Sequence, residues 1–265
     1  MRTLDRSNPW AGAPILHCER TVSTMAEALA LGRRGCPTGT TVVADFQEAG
    51  RGRLGPRRWS SEAGKNLLFT QVLRGLLPEA PQRLPLLVGL AVARTLESLY
   101  ALEPLIKWPN DVMCRVPAWD SGPGGSHRYA KVAGVLCEAV SEGGAVTVLV
   151  GVGLNCNQLR FRDQPRAVSL AGLLGREVDR FSLLESLLAA IQGALTDSGW
   201  KAALVKRLLY RGREVTVHLG PTGAGAASRA LRGVLEGLED DGAMRIRPFG
   251  GGPVSVYSGE LEAEG

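Results

Sequence analysis

Apolar positions in this chain recur with a helical period in some stretches and as short strand-like runs in others, and the two alternate through its first two thirds. Thr24 and Glu27 form a capping-box pair, and Ala28, Leu29 and Leu31 give the following helix an apolar side before Gly32 and Gly35 stop it. Two runs, TTVVADF at 40–46 and NLLFTQVL at 66–73, read as strands. The long apolar segment 82–100 predicts a core helix. Strand character returns in LIKW at 105–108, KVAGVLCEAV from 131 and AVTVLVGVGLN from 145, the last two pairing as a hairpin through SEGG. Between them, residues 117–129 (PAWDSGPGGSHRY) predict an exposed, mobile insertion without a catalytic role. Residues 181–210 are helical in pattern, broken near Ser198 and Gly199, and close on basic Lys206, Arg207 and Arg211, which suit a helix C-terminus. Beyond Arg211 the style changes to short strands separated by glycine-rich turns (REVTVHL, LRGVLEGLE, AMRIR, VSVYSG), the pattern of a small β-barrel. The expected organisation is an α/β (α+β) unit over residues 1–211 and a barrel over residues 212–265.

Composition narrows the class. The 265 residues are 45% hydrophobic and 22% charged, enough for an ample core and without a disordered tail of any size. No apolar run reaches membrane length, since the longest is interrupted by Arg94 and Glu97, and the N-terminus MRTLDRSNPW lacks the apolar centre of a signal peptide. The expectation is a cytoplasmic protein with no membrane partner. Five cysteines, an odd number without a C-x-x-C pair, predict reduced and mostly buried thiols rather than disulfides or zinc. Three scattered histidines and the absence of G-x-S-x-G argue against metal clusters and Ser-His-Asp hydrolysis. The net charge of +5 rests on 26 arginines and five lysines spread along the chain, without a nucleic-acid-reading element, so a general bias toward arginine explains it.

The densest candidate chemistry lies at 47–59, Q-E-A-G-R-G-R-L-G-P-R-R-W. Glycine permits close backbone approach to a ligand, and arginine offers a forked, permanently charged donor set for carboxylate or phosphate. Gly50, Gly52 and Gly55 spell G-x-G-x-x-G, but no helix opens there and no acid lies about 20 residues on, which excludes a dinucleotide fingerprint. A solvated hairpin connection explains the loop as well as an anion site does.

Four further motifs each have a bland reading beside a functional one. Lys107-Trp108-Pro109-Asn110-Asp111 places a cation, an amide and a carboxylate at a strand end, and is also an ordinary Pro-Asn-Asp turn. Lys131-Val132-Ala133-Gly134 starts a strand with a lysine that solvation alone would explain. Gly151 to Asn157 (GVGLNCN) offers bare glycines and two amides, or a bulge with turn asparagines. Ser23-Thr24 supplies hydroxyls that helix capping alone would justify.

In order and spacing, however, these motifs resemble those of a biotin protein ligase. The resemblance is carried by Ser23-Thr24, Gln47 with Gly50-Arg51-Gly52-Arg53, Gly64-Lys65-Asn66-Leu67, KWPND, KVAG, GVGLN and the terminal YSGEL, and it spans nearly the whole chain. It implies a class II synthetase-like mixed β-sheet catalytic domain followed by an SH3-like barrel. It implies ATP, Mg2+ and biotin as reactants, a biotinyl-adenylate intermediate, and a lysine of a biotin carboxyl carrier protein as acceptor. About twenty residues precede Ser23, so the DNA-binding domain that repressor forms of the family carry is expected to be absent.

The resemblance also distributes roles. Lys131 and Arg53 are the catalytic candidates, Lys131 at the carboxylate and α-phosphate, Arg53 with Arg51 in a loop that orders over biotin and adenylate. Ser23, Thr24 and Gln47 are expected at biotin's ureido ring, with Gly52 in the loop and Gly134 and Gly151 as a bare wall for the thioether ring. Asn155 is the candidate for the adenine edge, and Asn110 or Asp111 for the nucleotide, with Asp111 for magnesium. Two departures stand out: Met25 replaces a common asparagine, and the loop before Trp59 is one residue longer, which leaves Arg57 and Arg58 without assigned roles. Two rival readings remain at this point: a lipoate ligase or octanoyl transferase of the same fold, and a nucleic-acid-binding module.

Overall fold

The computed structural model describes residues 1–53, 58–75, 81–119, 127–142, 145–161, 164–219 and 229–263. In chain order its elements are β1 (Arg2–Thr3), β2 (Ile15–Thr21), α1 (Thr24–Arg33), β3 (Thr41–Gln47), β4 (Leu67–Arg74), a 3-10 turn (Pro81–Arg83), α2 (Leu84–Tyr100), β5 (Leu105–Lys107), β6 (Asp111–Trp119), β7 (His127–Glu142), β8 (Ala145–Leu154), α3 (Leu170–Leu174), α4 (Arg180–Ala194), α5 (Trp200–Lys206), β9 (Glu214–Leu219), β10 (Arg229–Leu238), β11 (Met244–Pro248), β12 (Val254–Val256) and β13 (Glu260–Ala263).

The first eight strands form one sheet in the order β1-β2-β3-β4-β8-β7-β6-β5, parallel between β2 and β3 and antiparallel elsewhere. Because side chains alternate along a strand, each strand splits between two faces. Leu67, Phe69 and Leu73 of β4 and Val148, Val150 and Val152 of β8 join α2 and α4 in the main core. On the other face Val72 and Leu149 pack with Met25 and Ala28 of α1 in a smaller cluster. On that second face β8 continues as Gly151 and Gly153, so the sheet is left bare beyond α1. No described helix is long and apolar enough to cross a membrane.

The remaining strands make a five-stranded antiparallel sheet, β12-β11-β10-β9-β13, with a bulge between Leu235 and Gly237. Its apolar side, including Val217, Leu235, Ile246 and Leu261, is continuous with the main core. Trp108 joins the two sheets: it is buried, and its indole donates to the Gly242 carbonyl at 3.2 Å.

Several expectations need correction. The cap of α1 is Ser23, whose hydroxyl accepts from the Met25 amide, and Glu27 pairs instead with the Thr21 hydroxyl. Ser23 takes the cap because its backbone is extended, with φ at −163°, as an N-cap requires. β2 was not legible, since half of ILHCERT is polar; His17 is nonetheless buried against Asp45 at 2.9 Å. The described ends of 117–129 are strand, since β6 runs to Trp119 and β7 begins at His127, and 120–126 lie outside the described residues. The β7 and β8 hairpin forms as expected.

Candidate active site

Polar order on the bare face begins at the end of β3. Gln47 Oε1 accepts from the Thr24 backbone N–H at 2.8 Å and from the Thr24 hydroxyl at 3.0 Å, and the Thr70 hydroxyl donates to Thr24 at 2.8 Å. With its oxygen occupied, Gln47 keeps its amide nitrogen as a donor for a ligand. Ser23, Thr24 and Gln47 border a cavity of about 70 Å³ with Arg51, Gly52, Arg53, Lys131, Gly134 and Gly151. All nine residues expected around biotin are therefore gathered at one place.

The glycines matter for what they omit. A Cβ on Gly151 would lie 2.8 Å from Met25 Sδ, and one on Gly134 would lie 2.9 Å from Lys131 Nζ. Met25 is 4% exposed and packs its thioether here. Sequence reasoning offered Gly153 among the bare glycines without assigning it a role, and missed Trp59. A Cβ on Gly153 would stand 2.5 Å from the Trp59 ring, and the Trp59 indole N–H is buried without a hydrogen-bond partner among the described residues. The strict alternation of Gly151 and Gly153 was the available signal. Trp59 reaches this position because its backbone N–H bonds the Gly50 carbonyl at 2.9 Å while Arg51 bridges Arg58, closing the loop as a hairpin.

Lys131 sits between Asp111 and Trp59. Its ammonium is 2.6 Å from Asp111 Oδ1 and 5.3 Å from the indole centroid, a salt link and a cation–π contact together. Its main chain is fixed by Arg166 and Val168 on one side and by the Asn155 amide, at 3.3 Å from its carbonyl, on the other. Asn155 is 1% exposed and borders neither cavity. The Asn110 amide donates to the Val135 carbonyl at 2.8 Å, which anchors the turn ahead of Asp111.

A second cleft of about 670 Å³ opens on the far side of Lys131, between the two sheets. Lys107, Asn110, Asp111 and Gln164 face it from the first sheet's side, and Gly259 to Leu261 from the second. Burial pushes the Lys107 ammonium below its usual range; Asp111 and Glu260 counter this, while Arg166 and Lys131 add to it. The glycine loop spans both sides: Arg51 pairs with Glu138 at 2.9 Å, and Arg53 donates to the Gly259 carbonyl at 2.5 Å. Arg58 borders the cleft, whereas Arg57 lies outside the described residues. The contribution of the second sheet had only one trace in sequence, the YSGEL ending.

The arrangement pairs a small cavity, in which neutral donors lie beside Arg51, Arg53 and Lys131, with a larger cleft, and Gly52, Arg53, Trp59, Asn110 and Lys131 border both. No described group of three or more His, Cys, Asp or Glu side chains could hold a metal by itself.

Comparison with known proteins gives the family and the fold. Residues 18–155 match the model of the biotin/lipoate A/B protein ligase family. The biotin–[acetyl-CoA-carboxylase] ligase of Mycobacterium tuberculosis is 30% identical over 251 residues, covering 91% of this chain and 86% of that protein. The bifunctional ligase/repressor BirA of Bacillus spizizenii is 28% identical over 95% of this chain and 74% of its own length. The structure of biotin protein ligase from Aquifex aeolicus in complex with biotin and ATP superposes with a TM-score of 0.74 at 30% identity, covering 94% of this chain and 98% of that one. A class II synthetase-like sheet with a C-terminal β domain is thus the fold of this chain, which belongs to the biotin/lipoate A/B protein ligase family.

Proposed function

We propose that this protein is an ATP-dependent biotin–protein ligase that joins biotin to a lysine of a biotin carboxyl carrier protein through biotinyl-5'-AMP. The observation that carries the reading is the meeting of the two cavities at Lys131. One sets Ser23, Thr24 and Gln47, placed donors and acceptors suited to a neutral ureido ring, beside Arg51 and Arg53, suited to a carboxylate; the other is larger and carries Arg53, Arg58, Lys107 and Lys131, suited to a nucleotide. A lipoyl chain has no ureido group to use the first set, which favours biotin over lipoate.

The reaction must bring a carboxylate to a phosphate. Two like charges at 4 Å repel by about 4 kcal/mol at an effective dielectric of 20, so fixed cations are needed before bond formation. Lys131, aimed by Asp111 and Trp59, supplies one where the carboxylate oxygen meets the α-phosphorus. Arg51 and Arg53 hold the glycine loop across the site and exclude water, protecting the mixed anhydride until the carrier amine attacks its carbonyl. Asp111 would be a carboxylate ligand for magnesium in the cleft, and the ion would supply neutralisation of phosphate charge. We assign the catalytic unit to residues 1–211 and the barrel to 212–265. The five cysteines are free, which with the need for ATP favours a cytoplasmic site of action.

The test is direct. Protein incubated with ATP, magnesium, labelled biotin and a carrier domain should release pyrophosphate and label a single lysine. Absence of both products would refute the reading, and labelling with lipoate in preference to biotin would redirect it.

A further inference from the structure

Because side chains alternate along a strand, Gly134, Leu136 and Glu138 of β7 share one face of the sheet. That face carries the small cavity: Gly134 and Leu136 line it, and so do their partners on β8, Gly153 and Gly151. Glu138, opposite Leu149, is the next step of the same row and lies outside the lining. Its carboxylate pairs with Arg51 Nη2 at 2.9 Å. The lining carries three cations, Arg51, Arg53 and Lys131, and, among the described residues, no carboxylate. An acid inside the cavity would repel an anionic ligand, whereas one a strand step beyond Leu136, roughly 7 Å away, holds a guanidinium without entering it.

The glycine loop needs such a hold. Arg51 is paired directly with Arg58 across its hairpin, and like charges set opposite one another destabilise a strand pair. The two arginines nevertheless part, Arg51 bordering only the small cavity and Arg58 only the cleft. The Arg51 side chain is 53% exposed, and a guanidinium with that freedom gives up rotamer entropy when it engages a ligand unless something orders it first. We propose that Glu138 is a positioning residue, which draws Arg51 away from Arg58 and fixes it at the rim of the small cavity before biotin arrives. This rests on the ligase reading above for the identity of the ligand. Glu138 touches no reactant; its effect passes through Arg51.

Equilibrium dialysis of labelled biotin against the full-length protein, Glu138→Gln, Glu138→Lys, Arg51→Ala and the Glu138→Gln, Arg51→Ala double variant measures the coupling. Glu138→Gln should raise the biotin dissociation constant about threefold to fivefold, the scale of a partly exposed ion pair. Glu138→Lys, which sets repulsion in place of attraction, should raise it further. On the Arg51→Ala background, Glu138→Gln should change it by less than about twofold, because the residue through which it acts is gone. Thermal midpoints of wild type and Glu138→Gln should agree within about 2 °C, since an exposed pair adds little to folding. A glutamate with a merely structural role would lower the midpoint and weaken biotin equally on both backgrounds. That result, or unchanged biotin affinity in both Glu138 variants, would overturn the proposal, and absence of biotin binding by the wild type would overturn it together with the ligase reading. If biotin binds with the expected coupling but the wild type forms no adenylate from biotin and ATP, the positioning role stands and the ligase reading fails.

Discussion

Lys131 Nζ and Asp111 Oδ1 are 2.6 Å apart although they belong to neighbouring strands whose register shifts by one residue beside them. The shift between Val112 and Met113 sets Asp111 opposite Gly134 rather than opposite Ala133. Lys131 can then reach across the glycine, which has no side chain to block it. Replacing Lys131 with Met should leave this geometry folded but lower adenylate formation by at least about a hundredfold, the scale on which a preorganised electrostatic donor acts. Pyrophosphate release measures it, and a variant keeping a tenth of wild-type activity would exclude a catalytic role.

The small cavity lies against the bare glycines of β7 and β8. What narrows it is the Trp59 ring over Gly134 and Gly153. Biotin binding should therefore displace Trp59 and change tryptophan fluorescence. Trp59→Phe should abolish the change despite the four remaining tryptophans. An equal signal in the variant would mean that the ring stays in place.

The legible and illegible parts of this site differ in physical kind. Gln47, Arg51, Lys131 and Gly151 could be picked out because their residue types are tied to the chemistry and their motifs are contiguous. Trp59 could not, because its place depends on a hairpin closed by the Gly50 carbonyl. Glu260 faces the cleft only once the second sheet is docked, through contacts such as Trp108 to Gly242, which no local pattern encodes. Asn155 was legible as a polar residue at a strand end, whereas the bond of its amide to the Lys131 carbonyl comes only with the fold. In the fold, α1, α2 and the β7–β8 hairpin follow from periodicity, whereas β2 was hidden by buried polar pairs such as His17 with Asp45.

Arg53 ties the glycine loop to the second sheet through the Gly259 carbonyl. Arg53→Gly removes that link and restores backbone freedom to the loop. The variant should still form adenylate but release it at least about tenfold faster, as loss of a charge-assisted hydrogen bond implies. Rapid filtration of labelled adenylate reads the rate; wild-type retention would remove Arg53 from the loop's closure.

Asp179 tests how far the support of the site extends behind the sheet. Its carboxylate caps α4 by accepting from the Phe181 and Ser182 amides, at 2.9 and 3.3 Å, and from the Ser182 hydroxyl at 2.7 Å. The next residue, Arg180, bonds the Asn66 carbonyl and Asp45, so the start of α4 braces the entry to β4. The Ser182 hydroxyl and the two amides hold the Asp179 carboxyl below its usual value of 3.8. A depressed folded-state value means the stabilisation is complete above the unfolded-state value and is lost as pH falls through the folded one. Asp179→Ala should thus cost about 1 kcal/mol at neutral pH, the usual loss of an N-cap. The gap between wild type and variant should close only as pH drops well below 3.8. Urea denaturation of both proteins across that range checks it. A gap independent of pH would show that the ionised carboxylate is not what caps the helix.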